Sequence, residues 1–337
     1  MPGSHVGIDI GNDSCKFAVR EGGTIRFVLG HLPDNLVNEG DVVSPQTMGE
    51  FMHSMRRENN VGGRDCNMVL DEQILFYRHI SLPPMTVGEL KLNLPFEFRD
   101  FIEGDPQGYT YDYMVDEMRK NEEGEIESME LYAAAIETDI VNERAEMLKR
   151  AGFKLAQAMP SPVALTAMLN RYLLEHPEHS DDSIAIIDLG YSGVQATFFH
   201  GSRYQSSKHI EMGCREIDDA IAYLKDVDPH VASAYKHANY EDVLNDESCV
   251  SIYEQLCVEI TKVINFYNFS NREYDLTHIY LMGGGAAILP LELAVRDSFD
   301  IEVDGIEVLL PQEAQNSENV RAGALAYAAL LCGEKVR

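Results

Sequence analysis

His5-Val6-Gly7-Ile8-Asp9-Ile10-Gly11, followed by the turn Asn12-Asp13-Ser14 and then Cys15-Lys16-Phe17-Ala18-Val19, is the stretch that decides the fold. The same pattern returns past the middle of the chain. There Ser183-Ile184-Ala185-Ile186-Ile187-Asp188-Leu189-Gly190 is followed by Tyr191-Ser192-Gly193 and Val194-Gln195-Ala196-Thr197-Phe198-Phe199. Each copy reads as a buried apolar strand, an Asp-x-Gly turn and a second strand. Repetition of a whole supersecondary unit predicts two related lobes facing one another. Each lobe then offers the space between them a carboxylate and a backbone opened by glycine.

The chemistry of those residues points to a polyphosphate and its metal. Gly11 and Gly190 let backbone N–H groups approach a phosphate with no Cβ in the way. Asn12, Asp13 and Ser14 are turn formers, and Lys16 is placed to meet a phosphate as a point charge. Carboxylates alone would repel phosphate, so Asp9 and Asp188 fit a divalent cation such as Mg2+, which takes one or two carboxylates and keeps several waters. A single Asp-Gly pair reads equally well as a strand-ending turn; two in equivalent settings favour the clamp. Downstream, the apolar Ile279-Tyr280-Leu281-Met282 runs into Gly283-Gly284-Gly285 and a helical Ala286-Ala287-Ile288-Leu289. Strand, glycine turn and helix start make a backbone surface suited to a nucleotide. Neither a P-loop lysine nor the G-x-G-x-x-G spacing is present.

Taken in order, these three elements resemble the phosphate-1, phosphate-2 and adenosine motifs of the actin–Hsp70–sugar-kinase superfamily. Within it the chain resembles the PilM family of type IV pilus assembly over nearly its whole length. The likeness rests on Gly7-Ile8-Asp9-Ile10-Gly11 with Lys16, Ile80-Ser81-Leu82-Pro83 ahead of an acidic helix near Glu97, and Tyr111-Asp112-Tyr113. It continues through Leu131-Tyr132-Ala133-Ala134-Ala135-Ile136, Leu148-Lys149-Arg150-Ala151-Gly152-Phe153 leading to Pro162, Ile264-Asn265-Phe266-Tyr267, and Ala322-Gly323-Ala324-Leu325-Ala326. The resemblance implies an α/β, actin-like (ribonuclease H-like) two-lobe fold. Duplicated βββαβ units would form the lobes, with an α+β subdomain inserted in the first. Residues 1–84 and 156–180 would form the first lobe, 85–155 the insertion and 181–318 the second lobe, with 319–337 a helix returning to the first.

ATP and Mg2+ are the implied cofactors. Nucleotide contacts are implied for Gly11, Asn12, Asp13, Ser14 and Lys16, for Gly190, Tyr191, Ser192 and Gly193, for Lys236, and for Gly283, Gly284 and Gly285. Asp9 and Asp188 would hold the metal through water. In this family the insertion receives the N-terminal cytoplasmic peptide of PilN, a single-span inner-membrane protein. A PilN-like partner, the pilus assembly machinery and self-association are therefore expected. An extended peptide gains backbone hydrogen bonds along a strand edge, and Leu131 to Ile136 with the Pro83-Pro84-Met85 junction is the expected wall.

Departures from the superfamily pattern bear on turnover. Active members carry a Glu or Gln at the start of the lobe-connecting helix to orient the attacking water. Here that neighbourhood reads Met159-Pro160-Ser161-Pro162-Val163-Ala164, and Gln157 precedes both prolines. Lys236 is kept on the base-side helix, but Val231-Ala232-Ser233-Ala234-Tyr235 supplies no acid before it. A water-orienting group must reach the nucleophile before its acidity matters. The expectation is ATP binding with weak or absent hydrolysis and no assigned catalytic residue. The alternative is a hydrolysing, filament-forming ATPase like FtsA, or a small-molecule kinase of the same superfamily.

Composition narrows the partners. The formal charge of −29 over 337 residues argues against nucleic acid and against direct binding to an anionic membrane face. Cys15, Cys66, Cys214, Cys249, Cys257 and Cys332 show no C-x-x-C spacing and read as reduced, buried thiols. His230 and His237 are too isolated to be ligands. Met1 to His5 lacks the regions of a signal peptide, and no run of about twenty apolar residues occurs. Glu334, Lys335 and Arg337 follow the Gly323–Gly333 helix with no amphipathic anchor of the FtsA kind. A cytoplasmic protein recruited to the inner membrane face by its partners is expected.

Periodicity supplies the remaining elements. Strands are expected at Val6–Ile10, Cys15–Arg20, Thr24–Leu29, Asn67–Asp71 and Phe76–Ser81, the last two closing the first lobe. Met48, Phe51, Met52 and Met55 predict a helix from Pro45 to Glu58 with those side chains in the core. The insertion is expected as helix Val87–Glu103, hairpin Tyr109–Met118 and Glu127–Ile136, and helix Asp139–Arg150.

Overall fold

The computed structural model describes residues 5–102, 104–271 and 275–333. Both copies of the repeated pattern are antiparallel hairpins at the centre of a sheet. In the first, β1 (Val6–Ile10), β2 (Ser14–Glu21) and β3 (Thr24–His31) form a meander. A two-stranded ribbon of β4 (Val37–Asn38) and β5 (Asp41–Val42) leads to α1 (Pro45–Glu58). Ser44 caps that helix and Pro45 presets its first turn. Then β6 (Asp65–Leu70) returns parallel to β1.

The insertion follows as β7 (Phe76–Leu82), α2 (Val87–Glu97), β8 (Tyr109–Lys120) and β9 (Ile126–Glu137). After α3 (Thr138–Arg150), β10 (Lys154–Pro160) completes the first sheet in the order β10-β6-β1-β2-β3.

Helix α4 (Ser161–Glu175) crosses to the second lobe, where β11 (Ser183–Leu189), β12 (Val194–His200) and β13 (Arg203–Ile210) repeat the meander. Helices α5 (Arg215–Lys225), α6 (Pro229–Ala238) and α7 (Glu247–Ser270) cover one face. Next come β14 (Leu276–Met282), α8 (Leu289–Asp297) and β15 (Glu302–Gly305). The order β13-β12-β11-β14-β15 mirrors the first sheet around the hairpin. Short α9 (Gln312–Gln315) precedes α10 (Val320–Cys332). Among the described residues no helix is long and apolar enough to cross a membrane.

One core fills the space between the sheets. Phe27 and Val69 of the first sheet share it with Ile186, Phe199 and Tyr280 of the second, through α4 and α10. Helix α10 lies so close to β1 that a Cβ on Gly7 would fall 1.8 Å from the Ala326 carbonyl oxygen. Asn67 donates to the Ala329 carbonyl at 2.9 Å and ties the same helix to β6.

The insertion is smaller than the sequence suggests. Residues 76–82, expected to close the first lobe, pair with β9 instead, so the three-stranded sheet β7-β9-β8 begins before residue 85. Ile80 and Leu82 face α2 residues Leu90 and Leu94 in the insertion's own core, which sets that register. Helix α3 belongs to the first lobe, since Met147, Leu148 and Ala151 pack with Met48, Met52 and Met55 of α1. Its buried Arg144 reaches Asp41 at 2.6 Å. The insertion helix ends at Glu97, two residues after its internal Pro95; Glu103 lies outside the described residues. Leu131 to Ile136 offers no free edge, because β9 is hydrogen-bonded on both sides. Met1 to Ser4 and 334–337, which include the expected termini of the first lobe and last helix, also lie outside the described residues.

Candidate functional site

Both Asp-Gly turns open into the cleft between the lobes. In the first, Gly11 donates its N–H to the Ser14 carbonyl at 3.0 Å, tightening the turn. The hairpin register places Asp9 opposite Lys16, and Lys16 Nζ lies 3.1 Å from Asp9 Oδ2. In the second, the same register places Asp188 opposite Gln195. A Cβ on Gly190 would sit 2.6 Å from the Gly193 carbonyl oxygen, so this turn admits only glycine without rearrangement. The start of α5 is fastened to it: Cys214 N–H donates to the Gly190 carbonyl at 3.0 Å and Arg215 N–H to that of Tyr191 at 2.9 Å.

The triple glycine closes the same space. Gly283 has φ +87°, and a Cβ there would lie 2.1 Å from Asp188 Oδ1. Glycine is what lets this strand end rest against the carboxylate. Gly284 has open space where a side chain would project. The segment after it is a 3-10 turn over Gly284–Ala287, and the α-helix starts only at Leu289. The expected helical Ala286-Ala287-Ile288-Leu289 is therefore displaced, because extended Ile288 separates turn from helix.

All the residues singled out in the sequence line one cleft of about 820 Å3: Asp9, Gly11, Asn12, Asp13, Ser14, Lys16, Asp188, Gly190, Tyr191, Ser192, Gly193, Lys236, Gly283, Gly284 and Gly285. Burial pulls the Lys16 ammonium down, yet Asp9 and Asp188 outweigh it and hold Lys16 above its ordinary range. Burial, reinforced by Asp9, pushes the Asp188 carboxyl up to about 6. One lysine thus faces two carboxylates, and the second is left short of positive charge. That surplus, with the Asn12 Oδ1 buried and lacking a protein partner, is a donor set that fits a hydrated divalent cation.

Asn12 Nδ2 donates to Ser192 Oγ across the cleft, joining the two turns. Nearby, His31 Nδ1 lies 3.1 Å from Asp13 Oδ2. Burial pushes Asp13 up, but this contact together with the charges of His31, Lys236 and Lys16 leaves the carboxyl below its usual range. The same hydrogen bond raises His31.

Sequence reasoning missed two acids: Glu72, which lines the cleft, and Asp218, which stands behind Lys236. Lys236 is not without an acid: its Nζ sits 2.8 Å from buried Asp218 of α5. The missing carboxylate at the start of α4 is also supplied from elsewhere. Glu72, in the turn before β7, accepts from Ser161 Oγ at that helix start. It also accepts from Ser207 Oγ at 2.8 Å and Gln195 Nε2 at 3.3 Å in the second lobe. Burial pushes the Glu72 carboxyl up. Both acids come from other elements of the chain, so only an acidic residue at a strand or helix end could have hinted at them. The histidines set aside as isolated lie on the seam between lobes. His230 Nε2 meets Asp34 Oδ2 at 2.8 Å, and the His237 ring meets His31 at 5.2 Å.

Facing lobes built on repeated hairpins, with three glycine turns around one cleft, define a protein of the actin-like ATPase fold. A family profile described as "Type IV pilus assembly protein PilM" matches residues 7–332, and the chain belongs to that family. Among solved structures the chain is similar to a "PilM-PilN type IV pilus biogenesis complex", at 19% identity over 98% of this chain and 99% of that one, with TM-score 0.79. It is also similar to the ethanolamine utilization protein EutJ from Carboxydothermus hydrogenoformans, at 14% identity over 98% of this chain and 90% of that one, with TM-score 0.58. No curated protein matches the sequence.

Proposed function

We propose that this chain is an ATP-binding adaptor of type IV pilus, or related secretion, assembly. Its cleft takes ATP with Mg2+, and nucleotide occupancy sets how the lobes close. The observation that carries the reading is the meeting of Asp9, Asp188 and Lys16 at the floor of a cleft walled by three glycine turns. Asp9 and Asp188 would hold the cation through water, and Lys16 with the Gly11–Ser14 and Gly190–Gly193 turns would face the phosphates. Lys236 and Gly283–Gly285 would flank the nucleoside. Bound Mg2+ would supply the positive charge that neutralises the phosphates; the chain's own residues orient it and exclude water.

Turnover is expected to be weak or absent. Glu72, the carboxylate held at the start of α4, is already committed to Ser161, Ser207 and Gln195. The partner is a PilN-like, single-span inner-membrane protein that brings this cytoplasmic protein to the inner membrane face. Its N-terminal peptide would dock on the insertion, where β7 and β8 have outer edges for strand addition.

Calorimetric titration with ATP, with and without Mg2+, tests the nucleotide reading. Binding that needs Mg2+, is lost in Asp9→Ala and is followed by little phosphate release is the expected result. Absence of binding in the wild type, or an affinity indifferent to Mg2+ and to Asp9→Ala, would remove the two-carboxylate clamp.

A further inference from the structure

The turn that carries Glu72 runs directly into β7, the first strand of the insertion. The cleft and the insertion are therefore adjacent in sequence as well as in space. On the second lobe, β13 faces both. Ser207 has one hydroxyl proton and gives it to Glu72, so the Tyr204 hydroxyl, 2.9 Å away, must be the donor to Ser207. Tyr204 in turn packs against the insertion. Its ring centroid lies 5.4 Å from Tyr77 of β7 and 5.2 Å from Tyr132 of β9, both edge to face. The Tyr132 hydroxyl donates to the Tyr204 carbonyl, and Tyr77 and Tyr132 stack on each other at 5.9 Å. Tyr132 and Tyr204 are buried in the core that joins the lobes.

At its other end the chain of contacts begins beside the metal-facing acid. Gln195 is the cross-strand neighbour of Asp188 and donates to Glu72. Gln73 adds a second bridge, its Nε2 lying 3.4 Å from His209 Nε2. The Glu72 bonds to Ser207 and Gln195, the Gln73–His209 contact and the Tyr204 contacts to Tyr77 and Tyr132 cross from first lobe or insertion to second lobe. Rotation of one lobe against the other must break or remake them as a set, because packed, hydrogen-bonded seams switch between arrangements rather than stretching.

We propose that Glu72 and the tyrosines Tyr77, Tyr132 and Tyr204 form a coupling seam that transmits occupancy of the cleft to strands β7 and β9 of the insertion. This rests on the nucleotide reading above and adds to it the route by which nucleotide reaches the partner-binding unit. Tyr132 and Tyr204 are positioning residues: they touch no phosphate and line no part of the cleft. Coupling of this kind is reciprocal, so whatever grips β7 or β9 also shifts nucleotide affinity.

Hydrogen exchange followed by mass spectrometry on the full chain, with and without ATP plus Mg2+, tests the seam without any partner. In the wild type, ATP should slow amide exchange in the cleft segments 9–16 and 188–195 and also in β7 and β9. Tyr132→Phe removes only the hydrogen bond to the Tyr204 carbonyl, and Tyr204→Phe only the one to Ser207. Both keep the rings and should keep the fold. Each variant should retain the slowing in the cleft, with ATP affinity within about twofold of wild type, and lose at least half of it in β7 and β9. If either variant keeps the full response in the insertion, the seam does not carry the signal. If wild-type ATP slows the cleft but leaves β7 and β9 unchanged, the coupling is overturned while nucleotide binding stands. If ATP slows neither region, the nucleotide reading fails and this inference with it.

Discussion

The two hairpins hold their carboxylates at one register under opposite electrical conditions. Asp9 faces Lys16 and forms a nearly buried ion pair. Asp188, at the matching place, faces neutral Gln195, and burial, reinforced by Asp9, lifts its carboxyl to about 6. The repeat has kept its geometry and divided its charge. One half holds a compensated pair, the other an acid set against a neutral side chain.

The sharpest way to break this comparison is Lys16→Ala. It strips the buried cation from between two carboxylates, and losing one partner of a buried pair typically costs about 3 kcal/mol. Urea unfolding should show that loss, and calorimetry should show ATP binding in Mg2+ abolished. Unchanged stability would mean that the pair contributes nothing. Gln195→Lys attacks the difference from the other side by giving the second hairpin the first one's residue. It should drop the Asp188 pKa below its present value of about 6, readable by carboxyl NMR titration, and weaken the dependence of ATP binding on Mg2+. A retained Mg2+ dependence would say that charge surplus is not what recruits the cation.

A pH series tests the second hairpin alone. The Asp188 carboxyl is raised from 3.8 to about 6 on folding, so the folded state keeps a proton that the unfolded chain has already released. Stability from this group is therefore greatest below pH 4, falls as pH rises through about 6, and is level above that. Asp188→Asn removes the dependence. Its Tm should gain on the wild type between pH 4 and 6.5 and then hold a constant lead; a flat difference across that range would show an unperturbed acid. The smallest effect is expected at Gly284→Val. With open space at its Cβ and φ outside the left-handed region, Tm should move by no more than about 1 °C while ATP affinity falls about tenfold. Equal affinity would place the nucleoside elsewhere.

How much of this was legible in the sequence follows from how local each feature is. The hairpins, α1 with its methionine face, and the β8–β9 pair were readable because period and turn residues write them over a dozen positions. So was the set of cleft residues, since the repeat marks two of its three walls. Residues 76–82 were misplaced because an alternating strand looks the same whichever sheet takes it; only Leu90 and Leu94 of α2 decide that it faces the insertion. Helix α3 was misplaced for the same reason, its apolar stripe fitting α1 as well as any neighbour. Asp218 and Glu72 were hidden more deeply. Each reaches its lysine or serine from a different element, over a distance in sequence that no motif spans.

Helix α10 has a consequence for how the chain comes to be folded. It covers β1 at Gly7 and receives the Asn67 side chain 262 positions further on. Until that helix is synthesised, the inner faces of both sheets lack one of the two helices, α4 and α10, that fill the space between them. The outer cores need nothing from that helix, for the buried residues of the first lie between Val6 and Phe153 and those of the second between Ala185 and Val303. During translation, then, each hairpin can gain its outer cover from its own lobe, while the core between the two is finished only when the last helix is made.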